Sequence, residues 1–144
     1  MVQYTMEIRE LETENDLKDA FPVLKELRPA LTLAGLLNSF PRQRAEGYRL
    51  WGARVDGHVA AVIGWRIQHM LHSGKTMYVD DLVTAPSHRG EGLGRALLDH
   101  AEAQARQAGC ATFSLDSGPQ RHDAHRLYLN FRMKIVSHHF SKEL

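Results

Sequence analysis

The sequence predicts a mixed α/β domain, a sheet with helices on both faces. The stretch Tyr78 to Gly109 reads as strand, glycine turn and helix. Asp56-Gly57, set between two apolar runs, is the two-residue signal of a β-hairpin. The order of patterns, strands first and then strand–helix–strand–helix–strand, argues a mixed sheet packed on both sides.

Taken in order, Met6 to Leu11 alternates weakly and predicts a short first strand. Asn15 or Asp16 is the expected cap of a helix whose apolar face is Leu17, Ala20, Phe21, Leu24 and Leu27. Pro22 is expected near a helix start or a kink, and Pro29 ends the pattern. Leu31 to Phe40 is a second apolar stretch, followed by Pro41-Arg42-Gln43-Arg44. Tyr48 to Val55 and His58 to Gln68 are the hairpin strands, Met70 to Gly74 is a loop, and Thr76 to Thr84 is the next strand. Ala111 to Asp116 predicts a strand, Arg121 to Phe131 a helix, and Met133 to Phe140 a last strand.

Within the central stretch, Pro86 stops the strand because proline has no N–H for the ladder. Gly90, Gly92 and Gly94 follow at alternate positions. Leu93, Ala96, Leu97, Ala101, Ala105 and Ala108 then repeat at helical spacing, and Gly109 sits where a left-handed C-cap belongs. Alternate glycines let backbone N–H groups crowd around a ligand without Cβ atoms in the way. A helix opening there adds roughly half a positive charge from its dipole. Together they make an anion site suited to pyrophosphate, with Arg89 and Arg95 at its flanks. The dinucleotide pattern G-x-G-x-x-G fails in both registers, at Arg95 and at Leu97, and no G-x-x-x-x-G-K-[ST] is present.

The chain has 144 residues, 43% hydrophobic and 24% charged, which is one soluble domain with a sizeable core. A net charge of +1 gives no broad field for nucleic acid or acidic membrane. Met1 to Glu10 is polar and does not read as a signal peptide, and no run approaches membrane-spanning length. The single cysteine, Cys110, is expected to be a buried structural thiol, and a cytoplasmic location is the default. Nine histidines, densest at His122, His125, His138 and His139, lack the spacing and cysteine partners of a metal site, so no metal is expected.

The spacing Arg89-x-x-Gly92-x-Gly94 resembles the acyl-CoA signature of the GNAT N-acetyltransferases, [Q/R]-x-x-G-x-[G/A]. The strand ending before Pro86 and Arg89-Gly90, and the later Ala124-x-x-Leu127-Tyr128, are similar to the same family, so the likeness runs from roughly Tyr78 to Phe140. The resemblance implies a largely antiparallel mixed sheet of six or seven strands and acetyl-CoA as cosubstrate. It implies coenzyme contacts from Arg89, Gly90, Glu91, Gly92, Leu93, Gly94 and Arg95, and from the backbone of Leu82 and Val83, with the Val83 N–H as oxyanion donor. It places Leu31 to Phe40 in a pair of helices that roofs the acceptor.

Acetyl transfer to an amine needs a neutral nucleophile, a stabilised carbonyl oxygen and a proton for the departing thiolate, whose parent pKa is about 8.5. Tyr128 matches the tyrosine that many GNAT enzymes use to protonate the coenzyme A sulfur. Asp81, on the strand before the glycine turn, and Asp116, ending the next strand, are the candidate bases. In a regular strand Asp81 shares a face with Val79 and Val83, and Asp80 points away. Two positions depart from the family: Arg121 replaces an asparagine at a helix start, from which it could still contact the coenzyme, and Arg132-Met133 replaces Gly-Phe. The resulting expectation is an N-acetyltransferase acting on a primary amine of a small molecule or peptide, with no nucleic acid or membrane partner and a homodimer left open. The alternative is a non-catalytic acyl-CoA-binding sensor domain.

Overall fold

The structure is a computed structural model and describes residues 6–144. Residues 1–5 of the polar N-terminal stretch lie outside the described residues. The order is β1 (Met6–Glu10), α1 (Glu14–Leu27), α2 (Leu33–Ala45), β2 (Arg49–Val55), β3 (His58–Met70), β4 (Gly74–Thr84), α3 (Leu93–Gln107), β5 (Thr112–Leu115) and α4 (His122–Asn130). The sheet runs β1-β2-β3-β4-β5, antiparallel except for the parallel pair β4–β5. Asp56 (φ 50°) and Gly57 (φ 82°) form the tight turn joining β2 to β3.

Helices cover both faces, each over its own core. On one side α1 and α2 bring Leu17, Ala20, Val23, Leu24, Leu36 and Phe40 onto Leu50, Val62 and Val83 of the sheet. On the other, Leu93, Leu97, Leu98, Ala101 and Ala105 of α3 and Tyr128 of α4 meet Ile63, Trp65, Met77, Val79 and Leu82. Cys110 is partly buried and packs against this second core.

Several expectations are corrected. Thr13, not Asn15 or Asp16, caps α1. Its hydroxyl accepts from the Asp16 N–H, and the Asp16 carboxylate accepts from the N–H groups of Thr13 and Glu12, at 3.0 and 2.9 Å. Pro22 lies inside α1, not at its start, and α2 continues through Pro41. An interior proline costs about 3 kcal/mol. Burying Leu17, Val23 and Leu24 beside Pro22 offsets it, at roughly 1.5–3 kcal/mol each.

Met133 to Phe140 forms no strand, so the sheet among the described residues has five strands rather than six or seven. A strand needs an edge to pair with, and this segment instead faces Leu115 to Pro119 and Tyr128 across a cavity of about 560 Å³. Its Ile135, Val136 and Phe140 side chains are largely exposed.

Both helices of the second face end in the same way. After α3, Cys110 N–H bonds the Ala105 carbonyl around Gly109 at φ 76°. After α4, Met133 N–H bonds the Tyr128 carbonyl around Arg132 at φ 68°. Arg132 therefore holds the left-handed conformation that the family gives to glycine, at a cost of about 1–2 kcal/mol for an L-residue. Arg132→Gly is expected to stabilise the fold by about 0.5–1 kcal/mol after glycine's extra unfolded-state entropy is subtracted. An unchanged or lower urea midpoint would contradict it.

Candidate active site

The site lies where β4 and β5 part. They pair only from Thr76↔Thr112 to Val79↔Leu115, and β4 continues to Thr84 without β5 beside it. The Asp80 carbonyl on that edge accepts from Arg28 Nη2 at 3.0 Å, and the backbone groups beyond it have no strand beside them. The side chains of Leu82 and Val83 are buried in the two opposite cores. The expected role of the Val83 N–H is corrected: Ala85 N–H bonds the Ala60 carbonyl and Val83 pairs with Val62 in the same register, so the Val83 backbone faces β3 and the Leu82 and Thr84 N–H groups face the gap.

Beyond Thr84 a single 3-10 turn, Pro86–His88, leads to the glycines. Gly90 (φ 78°) and Gly92 (φ 83°) are left-handed, and Gly92 is the N-cap of α3 with no side-chain cap. The first-turn N–H groups of α3 are thus left for an external acceptor. Gly94 has a different reason: a Cβ there would stand 3.1 Å from Leu127 Cδ2, so it lets α3 approach α4. Arg89 and Glu91 are exposed, and Glu91 meets His88 Nδ1 at 3.0 Å. Arg95 pairs with Asp99 at 3.1 Å and lies over the Phe131 ring.

A cleft of about 260 Å³ continues from the gap, lined by Arg28, Asp80, Asp81, Asp116, Arg121 and Tyr128 among others. Tyr128 is 8% exposed. Burial raises its pKa, and neighbouring Arg121 draws it back down, so the phenol stays protonated at neutral pH and can donate.

The two carboxylates differ in what holds them. Asp81 is fully engaged: Tyr48 Oη donates to one oxygen at 2.7 Å, and Arg28 Nε and Nη2 donate to the other at 3.1 and 2.9 Å. Asp116, just past β5, accepts from Tyr78 Oη at 2.7 Å, with His139 Nδ1 at 3.7 Å. Burial and the Asp116 charge push the Tyr78 pKa up, so that hydroxyl too remains a donor.

The expected face assignment is corrected by a bulge. Gly64 pairs with Asp81 and Trp65 with Val79, which leaves Asp80 as an extra residue. Asp81 therefore shares the α1/α2 side with Val83, while Val79 lies on the α3 side. Asp80 does not point away: Arg66 holds it at 2.9 Å, and the Arg66 guanidinium in turn stacks over Tyr48, the donor to Asp81. Burial raises the Asp80 pKa, with Arg66 opposing.

Sequence reasoning missed Arg28, Tyr48, Arg66 and Tyr78. Nothing in the spacing between Arg28 and Asp81 announces their contact; the adjacent acids Asp80-Asp81, each of which needs a partner once partly buried, were the available signal.

A parted pair of strands, an uncapped glycine-rich helix start and a buried phenol at the gap define an acyl-transfer protein that takes a nucleotide-bearing thioester. Comparison with known proteins agrees. Residues 8–131 match the acetyltransferase (GNAT) family. The chain is 33% identical over 122 residues to an uncharacterized N-acetyltransferase, YhdJ, of Bacillus subtilis (strain 168), covering 84% of this chain and 86% of that one. It is 38% identical over 98 residues to the aminoalkylphosphonate N-acetyltransferase of Salmonella typhimurium, covering 67% and 62%. Its fold matches an aminoglycoside N-acetyltransferase solved with coenzyme A, with TM-score 0.86 and 16% identity over 99% of this chain and 97% of that one. The chain belongs to the GNAT family. It is an N-acetyltransferase that moves an acetyl group from acetyl-CoA to an amine.

Gly92→Val tests the coenzyme turn. A β-branched residue at φ 83° is strained and obstructs the open amides of the turn. The expected result is at least about a tenfold loss of coenzyme A affinity by calorimetry, the equivalent of ~1.4 kcal/mol. Unchanged affinity in a folded variant would remove the pyrophosphate from this turn.

Proposed function

We propose that the acetyl thioester lies in the gap between β4 and β5, with its pyrophosphate on the amides from Gly90 to Arg95 and its pantetheine arm along the backbone from Leu82 to Thr84. Leu82 N–H, which faces the gap, donates to the carbonyl oxygen. A neutral amine in the cleft attacks the carbonyl carbon, the C–S bond breaks, and Tyr128 gives its proton to the departing thiolate. Asp116 receives the proton that the amine loses. Asp81 acts differently: with both oxygens engaged, it fastens Arg28 and Tyr48 and so sets the shape of the acceptor cleft. The observation that carries this reading is the buried phenol of Tyr128 lining a cleft that opens from the parted strands.

A small-molecule acceptor fits the cleft better than a peptide, since about 260 Å³ is below the roughly 300–1,000 Å³ of drug-sized sites. The Salmonella relative's acceptor is likewise small. Arg132, where the resemblance implies glycine, adopts glycine's left-handed backbone and leaves the end of α4 intact. The chain acts as one domain. A homodimer would cover the exposed Ile135, Val136 and Phe140, and the lone cysteine suits a cytoplasmic setting. The deciding experiment measures free coenzyme A released from acetyl-CoA across a panel of small primary amines and short peptides. Release only with small amines is expected; release with none would leave the sensor reading.

A further inference from the structure

The charges in the acceptor cleft are not all balanced within the chain. Asp80 is held by Arg66, and Asp81 by Arg28 and Tyr48. Two groups remain. Asp116 has the Tyr78 hydroxyl and, 3.7 Å away, the exposed His139 ring. Arg121, partly buried at the start of α4, hydrogen-bonds the Tyr128 phenol and makes no ion pair among the described residues. The cleft thus presents one carboxylate and one guanidinium, neither of them in a hydrogen-bonded ion pair within the chain.

We infer that the acceptor is a small zwitterion, an amine that also carries a phosphate, phosphonate or carboxylate, and that Arg121 binds that anionic group while the amine faces Asp116. This rests on the proposed acyl transfer and names its substrate class. A guanidinium drawn partly out of water without a carboxylate is a ready partner for a planar or tetrahedral oxyanion, which it holds through paired N–H donors. The anion is not the coenzyme's pyrophosphate. No residue from Pro86 to Arg95 lines this cleft, whereas Leu27 and Arg28 from the end of α1 do. The small volume limits the distance between the two charges of the ligand to that of a short amine.

Matched acceptors test the inference: 2-aminoethyl phosphate against ethanolamine, and β-alanine against propylamine. The wild type is expected to favour the anionic member of each pair by at least about tenfold in kcat/KM. Arg121→Gln should raise KM for the anionic amines by about 10- to 100-fold, the scale of one lost hydrogen bond to a charged group. It should change kcat less, leave the KM of acetyl-CoA near its original value, and be partly rescued by Arg121→Lys. A wild type without the preference overturns the inference, and so does an Arg121→Gln variant whose loss falls on the acetyl-CoA KM. Calorimetric titration of the coenzyme A complex with 2-aminoethyl phosphate and with ethanolamine reads the same preference without turnover. Tight binding of the phosphate ester through Arg121 with no thiol release would refute the transferase reading and keep this one; equal affinities would overturn this one.

Discussion

Tyr128→Phe lowers kcat by about 100-fold or more while coenzyme A binding and the fold survive. The ring is 8% exposed and packs in the core between the sheet and α3, so replacing the hydroxyl by hydrogen leaves apolar burial nearly unchanged. What disappears is the proposed proton donor at the gap, and a single general acid contributes typically 10²–10⁴-fold, or roughly 3–5 kcal/mol of barrier. The loss falls on kcat because the proton is needed only as the sulfur departs. A thioester whose thiol has a lower pKa leaves without help and should restore part of the rate. Stopped-flow measurement of thiol release checks both points. A Tyr128→Phe enzyme that matches wild type with chemistry rate-limiting would make Tyr128 a packing residue.

The second large effect is on stability. Gly64 lies under the Tyr48 ring: a Cβ built there would stand 2.0 Å from Tyr48 Oη and 2.5 Å from Cζ, closer than any atoms can pack. Tyr48 is itself 5% exposed, with its ring edge-on to Phe40 and its hydroxyl on Asp81. Gly64→Ala must therefore displace the ring and break that hydrogen bond. Overpacking costs about 1–3 kcal/mol, and losing a donor to a partly buried carboxylate about 1.5–3 more. Together that is roughly 3–5 kcal/mol against a total stability on the order of 5–15, so Tm should fall by about 10 °C or more. The double variant Gly64→Ala with Tyr48→Ala should lose less than the sum of the two single variants, because the clash is absent once the ring is gone. A urea midpoint for Gly64→Ala within about 0.5 kcal/mol of wild type would show that the ring has another place to go.

The two predictions draw on different kinds of information. Tyr128 was singled out by the likeness of Ala124-x-x-Leu127-Tyr128 to the family's helix, and the structure lines the cleft with it. Gly64 was not: a glycine in an apolar run is ordinary until the ring of Tyr48 is found against it. The same division runs through the site. The turn from Arg89 to Arg95 could be read directly because its conformation is local, a property of consecutive backbone amides and the glycines that free them. The strand pairs, the Asp56-Gly57 hairpin and the Gly109 cap were legible for the same reason.

By itself, then, the sequence determined the elements whose physics is contained in a few neighbouring residues: the hairpin, the glycine turn, the α3 cap, and the apolar faces that put helices on both sides of a sheet. Only the tertiary structure decided the rest. Burial carried α1 through Pro22 against local propensity. Pairing, or its absence, left Met133 to Phe140 without a strand despite its composition. A single bulge opposite Gly64 reset the faces of Asp80 and Asp81, and Arg28, 53 residues away in sequence, closed on Asp81. Each of these depends on which edge or charge arrives from a distant part of the chain, and the sign of a side chain's contribution changes when that neighbour does.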